Sequence, residues 1–347
     1  MRSKSNQDRK KRGSTNVILT ILAGLVVVSL FFFLPEMEVL AATDVISFRI
    51  GHVEPIGSPM NNSMEEWVKL MRERSNGRLR PSNFPASQAG NFIQLIDASR
   101  MGTIEVTAGG LDAEGKLSPV TAALGIGYLI DSYEHADKIF EGPIGKMLAE
   151  ELKKRTGVYI AAYGEAGFRT IASKKPIQKL EDLKGKKIRV PEGPINIRLL
   201  QLLGGNATPV AYAEIYISLQ TGVVDAADVN IPETFGYKLY EPTGHITLCS
   251  HWYQNKPIRV NARWLDGLPA DLRKIFIDTA VEAFAKQRKN NRTMTDEYIQ
   301  KMKALGVKFY EVEDKAAWIK AGVQQQEEYM KEYPEAADLI KQVRALK

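Results

Sequence analysis

Val158-Tyr159-Ile160-Ala161-Ala162-Tyr163 is an apolar run rich in β-branched and aromatic residues, and Arg169 to Ser173 follows it closely. Runs of this length read as two buried strands. Working outward, residues 136–155 upstream carry helical spacing, and before them come a strand at 104–108 ending at Gly109-Gly110 and a helix over 92–101. The first unit is Val45-Ile46-Ser47-Phe48-Arg49-Ile50-Gly51, a strand by its alternation, followed by a helix with Met64, Trp67, Val68 and Met71 on one face. That helix closes at Ser75-Asn76-Gly77, with Gly as a left-handed stop. Downstream, Ile188-Arg189-Val190-Pro191 leads into a helix at 195–203, a further helix at 213–221 and a strand at 223–227. Strands alternating with helices predict an α/β fold with mainly parallel pairing and a binding site at the carboxyl ends of strands.

Residues 270–305 hold one helical stripe, including Leu272, Phe276, Ala280, Phe284, Tyr298 and Met302. At 1.5 Å per residue this is a rod of about 54 Å, too long for one small domain and expected to span two. The tail, 315–347, reads as a helix with Trp318 and Tyr329, a break near Pro334 and a final short helix.

The chain has 347 residues, enough for two or three domains, with 44% hydrophobic and 25% charged residues, an ordinary globular profile. Its net charge of +6 is concentrated at the start, where Arg2, Lys4, Arg9, Lys10, Lys11 and Arg12 face Asp8 alone. An uncharged stretch, Val17 to Leu34, follows, then Val39-Leu40-Ala41-Ala42 with small residues suited to signal cleavage. Residues 1–41 read as a signal peptide cleaved after Ala41; the length of the apolar run also permits an uncleaved anchor. Removing them takes six basic and three acidic residues from 47 and 41, leaving 41 against 38 and a net charge of +3. No concentrated basic face remains, which argues against a nucleic-acid partner. Cys249, the only cysteine, excludes an internal disulfide and reads as a buried thiol in an apolar run.

Catalytic signatures are missing. The four histidines, His52, His135, His245 and His251, form no zinc motif, and neither a nucleophile elbow nor a phosphate loop occurs. The residues that stand out are Arg169, in Gly167-Phe168-Arg169, and Arg189, in Lys187-Ile188-Arg189-Val190-Pro191. Each presents a planar fork matched to a carboxylate; a surface ion pair is the plainer alternative.

The stretch from Gly167-Phe168-Arg169 through Lys175-Pro176-Ile177 and Glu181-Asp182-Leu183-Lys184-Gly185 to Ile188-Arg189-Val190-Pro191 resembles the signature of solute-binding proteins of tripartite ATP-independent periplasmic (TRAP) transporters. Further matches are Gly51-His52-Val53, Phe84-Pro85-Ala86-Ser87-Gln88, Tyr212-Ala213-Glu214-Ile215-Tyr216 and Leu219-Gln220-Thr221-Gly222-Val223-Val224-Asp225. The resemblance implies a periplasmic-binding-protein-like fold of type II, with two α/β lobes, a cleft between them and a long helix spanning both. One lobe would take residues 43–166 plus about 256–290, the other 167–255, with the spanning helix at 270–305 and a helical segment at 306–347. It implies that Arg189 holds a ligand carboxylate, that Arg169 is a second contact and that Tyr212 sets a ring against the ligand. Asp228 and Asn230 stand where a carboxamide is usual, and His52 and Glu54 follow the first strand where relatives place polar contacts. This sequence departs from the family in having Asp228-Val229-Asn230 for the usual Glu-Asn, and Gly127-Tyr128 for a Pro-Phe pair. The function expected is an extracytoplasmic, monomeric carrier, not an enzyme, that needs no cofactor or metal. It would bind a small organic acid and deliver it to the membrane permease subunits of a TRAP transporter in the periplasm. The alternative is a membrane-anchored periplasmic sensor of the same fold.

Overall fold

The computed structural model describes residues 44–346 apart from Lys116; the signal peptide and its cleavage site lie outside them. The first unit comprises β1 (Ile46–His52), α1 (Pro59–Arg74), β2 (Leu79–Phe84), α2 (Phe92–Met101) and β3 (Val106–Ala108). Local chemistry sets the boundaries. Ser58 caps α1 by accepting from Asn61 N, with Pro59 in the first turn, and Asn91 and Gln94 close a capping box on α2. Next come α3 (Tyr133–Phe140) and α4 (Pro143–Thr156). The expected single helix over 136–155 is therefore two, because Gly142-Pro143 stops one helix and starts the next.

The central strand, β4 (Val158–Ser173), is one element of 16 residues, where two strands were expected. Gly164 and Gly167 lie in a bend within it. Register shifts fall at Ile160/Ala162 and Glu165/Gly167, and Gly167 has φ +88°, where an added Cβ would also fall 3.0 Å from Tyr133 OH. After this bend β4 exchanges neighbours. Val158–Phe168 pairs antiparallel with β9, whereas Arg169–Ser173 pairs antiparallel with β7.

Further along, apart from helices of one turn or so, come β5 (Lys187–Val190), α5 (Pro194–Leu202), β6 (Asn206–Pro209), α6 (Ile215–Thr221), β7 (Ala226–Asn230), α7 (Ile231–Gly236), β8 (His245–Thr247), β9 (Tyr253–Asn261), α8 (Ala270–Ala304), β10 (Lys308–Tyr310), α9 (Lys315–Glu332) and α10 (Ala337–Ala345). The sheet runs β2-β1-β3-β9-β4-β7-β5-β6, with β8 joined to β4 and β10 to β8. Pairing is mixed, which corrects the expectation of a mainly parallel sheet. Pairs within each half (β1 with β2 and β3, β5 with β6 and β7) are parallel, while β4 and β9, which tie the halves together, pair antiparallel. β7 begins three residues later than expected because left-handed Gly222 closes α6 and Val224 N still donates to the Ser218 carbonyl, which keeps 223–224 in the closing turn of that helix.

α8 behaves as its stripe predicts. Phe276 and Phe284 pack edge-on against Trp67, with ring centroids 5.1 and 5.6 Å away, in the core that also holds Phe48, Ile50 and Val260. Farther along, Tyr298 and Met302 enter a different core, with Val229, Leu239 and Ile246. Its 35 residues, about 52 Å long, thus brace both halves of the sheet.

Candidate functional site

The exchange of partners in β4 brings Arg169 opposite Asn230, while the parallel register of β5 sets Arg189 opposite Ala227. Two arginines on different strands thus converge on β7. Both are buried, at 0% and 1% exposure.

Arg169 is fully committed within the protein. Its Nε donates to Asp228 Oδ1 at 2.7 Å, and Nη1 donates to Tyr212 OH at 2.8 Å, Gln254 Oε1 at 2.9 Å and Glu233 Oε2 at 3.3 Å. Nη2 donates to the Asp228 carbonyl. Burial opposes its charge, but Asp228, Tyr212 and Glu233 hold the guanidinium protonated, well above the ordinary arginine value. Lys256, fully buried on β9, donates to Glu54 Oε1 at 2.5 Å and Glu233 Oε1 at 3.0 Å. Glu54 is pushed up to about 6 by burial, partly offset by Lys256.

Arg189 differs. Its Nε donates to the Val210 carbonyl at 2.8 Å and Nη1 to the Asp228 carbonyl at 3.1 Å, and its guanidinium carbon lies 4.6 Å from the centre of the Tyr212 ring. Among the described residues no carboxylate stands within ion-pair distance of it. Burial pulls its pKa below the ordinary arginine value. Asp228, Glu233 and Glu54 pair directly with Arg169 and Lys256, so Arg189 touches only carbonyl oxygens and a ring face and feels Asp228 and Glu233 from a distance. A buried cation in this state is suited to an anion brought from outside.

The structure therefore gathers Arg169, Arg189, Tyr212, Asp228 and Glu54 into one buried network. Asn230 is adjacent but partly employed: its Oδ1 accepts from Glu233 N and caps α7, and its Nδ2 donates to Gln254 Oε1 at 3.3 Å. His52 lies outside the ion pairs. Its Nδ1 accepts from Glu54 N at 3.3 Å, and burial lowers its pKa to about 4, so the ring is neutral. Lys256, Glu233 and Gln254 are members that the sequence reading missed. Two signals were available: Gln254 and Lys256 share one face of a strand by their spacing, and Asn230 with Pro232 and Glu233 has the pattern of a helix start.

Behind the network, His251 Nε2 lies 3.4 Å from Asp228 Oδ2 and its Nδ1 lies 3.0 Å from Cys249 Sγ, which is buried as expected. Burial opposes the imidazolium, but Cys249 and Asp228 raise its pKa to about 10. Because the folded state binds this proton more tightly than the unfolded chain, the stabilisation is complete below about pH 6.5, the unfolded value. It is lost as pH rises toward 10. The stability advantage of wild type over His251→Gln, measured by urea denaturation, is expected to shrink across that window; an advantage constant from pH 6 to 10 would contradict it.

Among the described residues no group of His, Cys, Asp and Glu is arranged to hold a metal ion. Residues 50–333 match the family model for bacterial extracellular solute-binding proteins, family 7. The 2,3-diketo-L-gulonate-binding periplasmic protein YiaO of Escherichia coli K12 is 31% identical over 299 residues, covering 86% of this chain and 91% of the relative. The C4-dicarboxylate-binding periplasmic protein DctP of Rhodobacter capsulatus is 27% identical over 88% of this chain and 91% of its own length. Among solved structures, a TRAP periplasmic solute-binding protein of Pseudomonas putida F1 with bound D-glucuronate superposes with a TM-score of 0.82 at 27% identity, covering 86% of this chain and 97% of that one.

Proposed function

The chain belongs to the family 7 bacterial extracellular solute-binding proteins, and from that premise we propose that it captures a small organic acid on Arg189 and delivers it to a TRAP-type secondary transporter. The single observation that carries the reading is the state of Arg189: buried, charged and without a carboxylate of its own. A ligand carboxylate supplies the missing partner, and closure of the two halves of the sheet over it removes water and strengthens the pair. Arg169 acts differently from Arg189. It holds Tyr212 and Gln254 in place, and Tyr212 supports the Arg189 guanidinium from below.

Family membership supports a periplasmic location. The anchored-sensor alternative rests on residues 17–34, which lie outside the described residues, and the matched relatives are named as binding proteins, which favours the carrier. Among the described residues no helix is long and apolar enough to cross a membrane. The ligand class we infer is a hydroxylated sugar acid, following the diketo-gulonate and glucuronate of the relatives.

A thermal-shift screen of uronates, aldonates, keto acids and C4-dicarboxylates tests this. An acid at 100 times its dissociation constant stabilises the folded chain by about 2.7 kcal/mol, a shift that such a screen resolves. If no acid shifts the unfolding midpoint at millimolar concentration, the carrier reading fails.

A further inference from the structure

A fourth carboxylate near the network has no role in it. Asp112 sits in the turn Leu111–Glu114 that follows Gly109-Gly110; it is 1% exposed, and neither of its carboxylate oxygens has a hydrogen-bond partner. Asn196, in the first turn of α5, is 2% exposed, and both its carboxamide oxygen and nitrogen are unpartnered. The two residues come from opposite halves of the fold, Asp112 from the chain after β3 and Asn196 from the helix after β5.

Gly193 is where the two segments touch, between the Asn196 side chain and the Asp112 backbone. A Cβ on Gly193 would fall 2.7 Å from Asn196 Oδ1 and 2.9 Å from the Asp112 carbonyl. A Cβ on Gly110 would fall 2.0 Å from Asp112 Oδ1 and 3.3 Å from Gln254 Nε2. Gln254 is the residue whose Oε1 accepts from Arg169, so Asp112 borders the same network that holds Arg189 in place. Asp112 packs against both glycines too closely for a side chain at either position. Burial pushes Asp112 up to about 6, although the charges of Arg169, Lys256 and Arg259 act against that rise.

Leaving a buried carboxylate and a buried carboxamide unsatisfied is costly, and neither caps a helix nor pairs with a cation within the fold. An ionised carboxylate only accepts, so its partner must be a donor; a second ligand carboxylate there would be repelled. Hydroxyl groups suit both residues, since each can donate to an Asp112 oxygen or to Asn196 Oδ1 and accept from Asn196 Nδ2.

We propose that Asp112 and Asn196 form the hydroxyl-recognising end of the cleft and select hydroxylated acids over hydroxyl-free acids of the same shape. This deepens the reading above and rests on a carboxylate seated at Arg189.

The test is calorimetric titration of the full mature chain with two matched pairs: D-glucuronate against tetrahydropyran-2-carboxylate, the same ring without hydroxyls, and D-gluconate against hexanoate. Wild type is expected to prefer the hydroxylated member of at least one pair by about a hundredfold or more, because a site built around a hydroxyl rejects the analogue lacking it. Asp112→Asn keeps the shape and removes the charge; it is expected to weaken binding of the hydroxylated acid at least tenfold and leave the hydroxyl-free acid within twofold. Its unfolding midpoint should equal or exceed that of wild type, which a merely structural Asp112 would not allow. Equal loss for both members of a pair, an unchanged preference, or wild type that binds no hydroxylated member overturns the proposal. Arg189→Met separates the two ideas: it weakens both members equally if the carboxylate reading holds, whereas the preference ratio reports on Asp112 alone.

Discussion

Replacing Arg169 by methionine is expected to destabilise the folded chain by about 3–5 kcal/mol, the cost of breaking a buried ion pair by removing one side of it. The substitution keeps the length of the stem and takes away every donor that Asp228, Glu233, Tyr212 and Gln254 share. Asp228 would keep Trp252 Nε1 at 3.1 Å and the His251 ring, and Glu233 would keep Lys256 and the Tyr212 hydroxyl. Neither set replaces a guanidinium at the centre of two carboxylates. Adding Asp228→Asn to the Arg169→Met background is expected to recover part of the loss, since one stranded charge is then removed. Urea denaturation of the two variants reads this directly, and a loss below about 1 kcal/mol for Arg169→Met would mean that the network contributes far less than its geometry implies.

Arg189→Met should behave in the opposite way. Two hydrogen bonds to carbonyl oxygens are lost, but a buried cation with no carboxylate partner is lost with them, so stability is expected to stay within about 1 kcal/mol of wild type. Binding of the acid found by screening is expected to weaken at least tenfold and as much as about a thousandfold, because truncating one side of a desolvated, hydrogen-bonded charge pair costs about 2–5 kcal/mol in affinity. The contrast between the two arginines is the informative part. One holds the site together and the other holds the ligand, so stability and affinity respond to different substitutions. An Arg189→Met protein with unchanged affinity for the acid would remove Arg189 from the ligand site.

Much of this arrangement is legible in the order of residues. The α8 stripe spans two cores because Phe276 and Phe284 sit at one end and Tyr298 and Met302 at the other, and Ser58-Pro59 and Asn91 mark helix starts by their own side-chain chemistry. What the sequence conceals is pairing between distant segments. β9, Tyr253-Gln254-Asn255-Lys256-Pro257-Ile258-Arg259-Val260-Asn261, has no alternation because all nine residues are buried; its charged members pair with partners far away in sequence, and Pro257 argues against a central strand. Lys256 is bonded to Glu54, 202 residues away, and Arg259 to Glu114, 145 residues away.

Arg169 shows the same limit in another form. Its position beside a glycine bend marks it as unusual, but whether it faces ligand or protein is decided by Asp228 and Glu233, which only the antiparallel register of β4 with β7 brings within reach. The plainer expectation of an ion pair describes Arg169 in part, with the difference that the pair is buried. Asn230, which the family resemblance offers as a ligand contact, stands at the end of β7 with its oxygen used by the helix it starts. Asp112 carried no motif at all; only its lack of partners in the folded chain singles it out.

The most direct measurement is a crystal structure of the protein with the acid that gives the largest thermal shift. The account predicts the ligand carboxylate on the Arg189 guanidinium, with N–O distances of about 2.7–2.9 Å, and Arg169 still bound to Asp228. A carboxylate seated on any other cation, with Arg189 bonded only to the Val210 and Asp228 carbonyls, would contradict it.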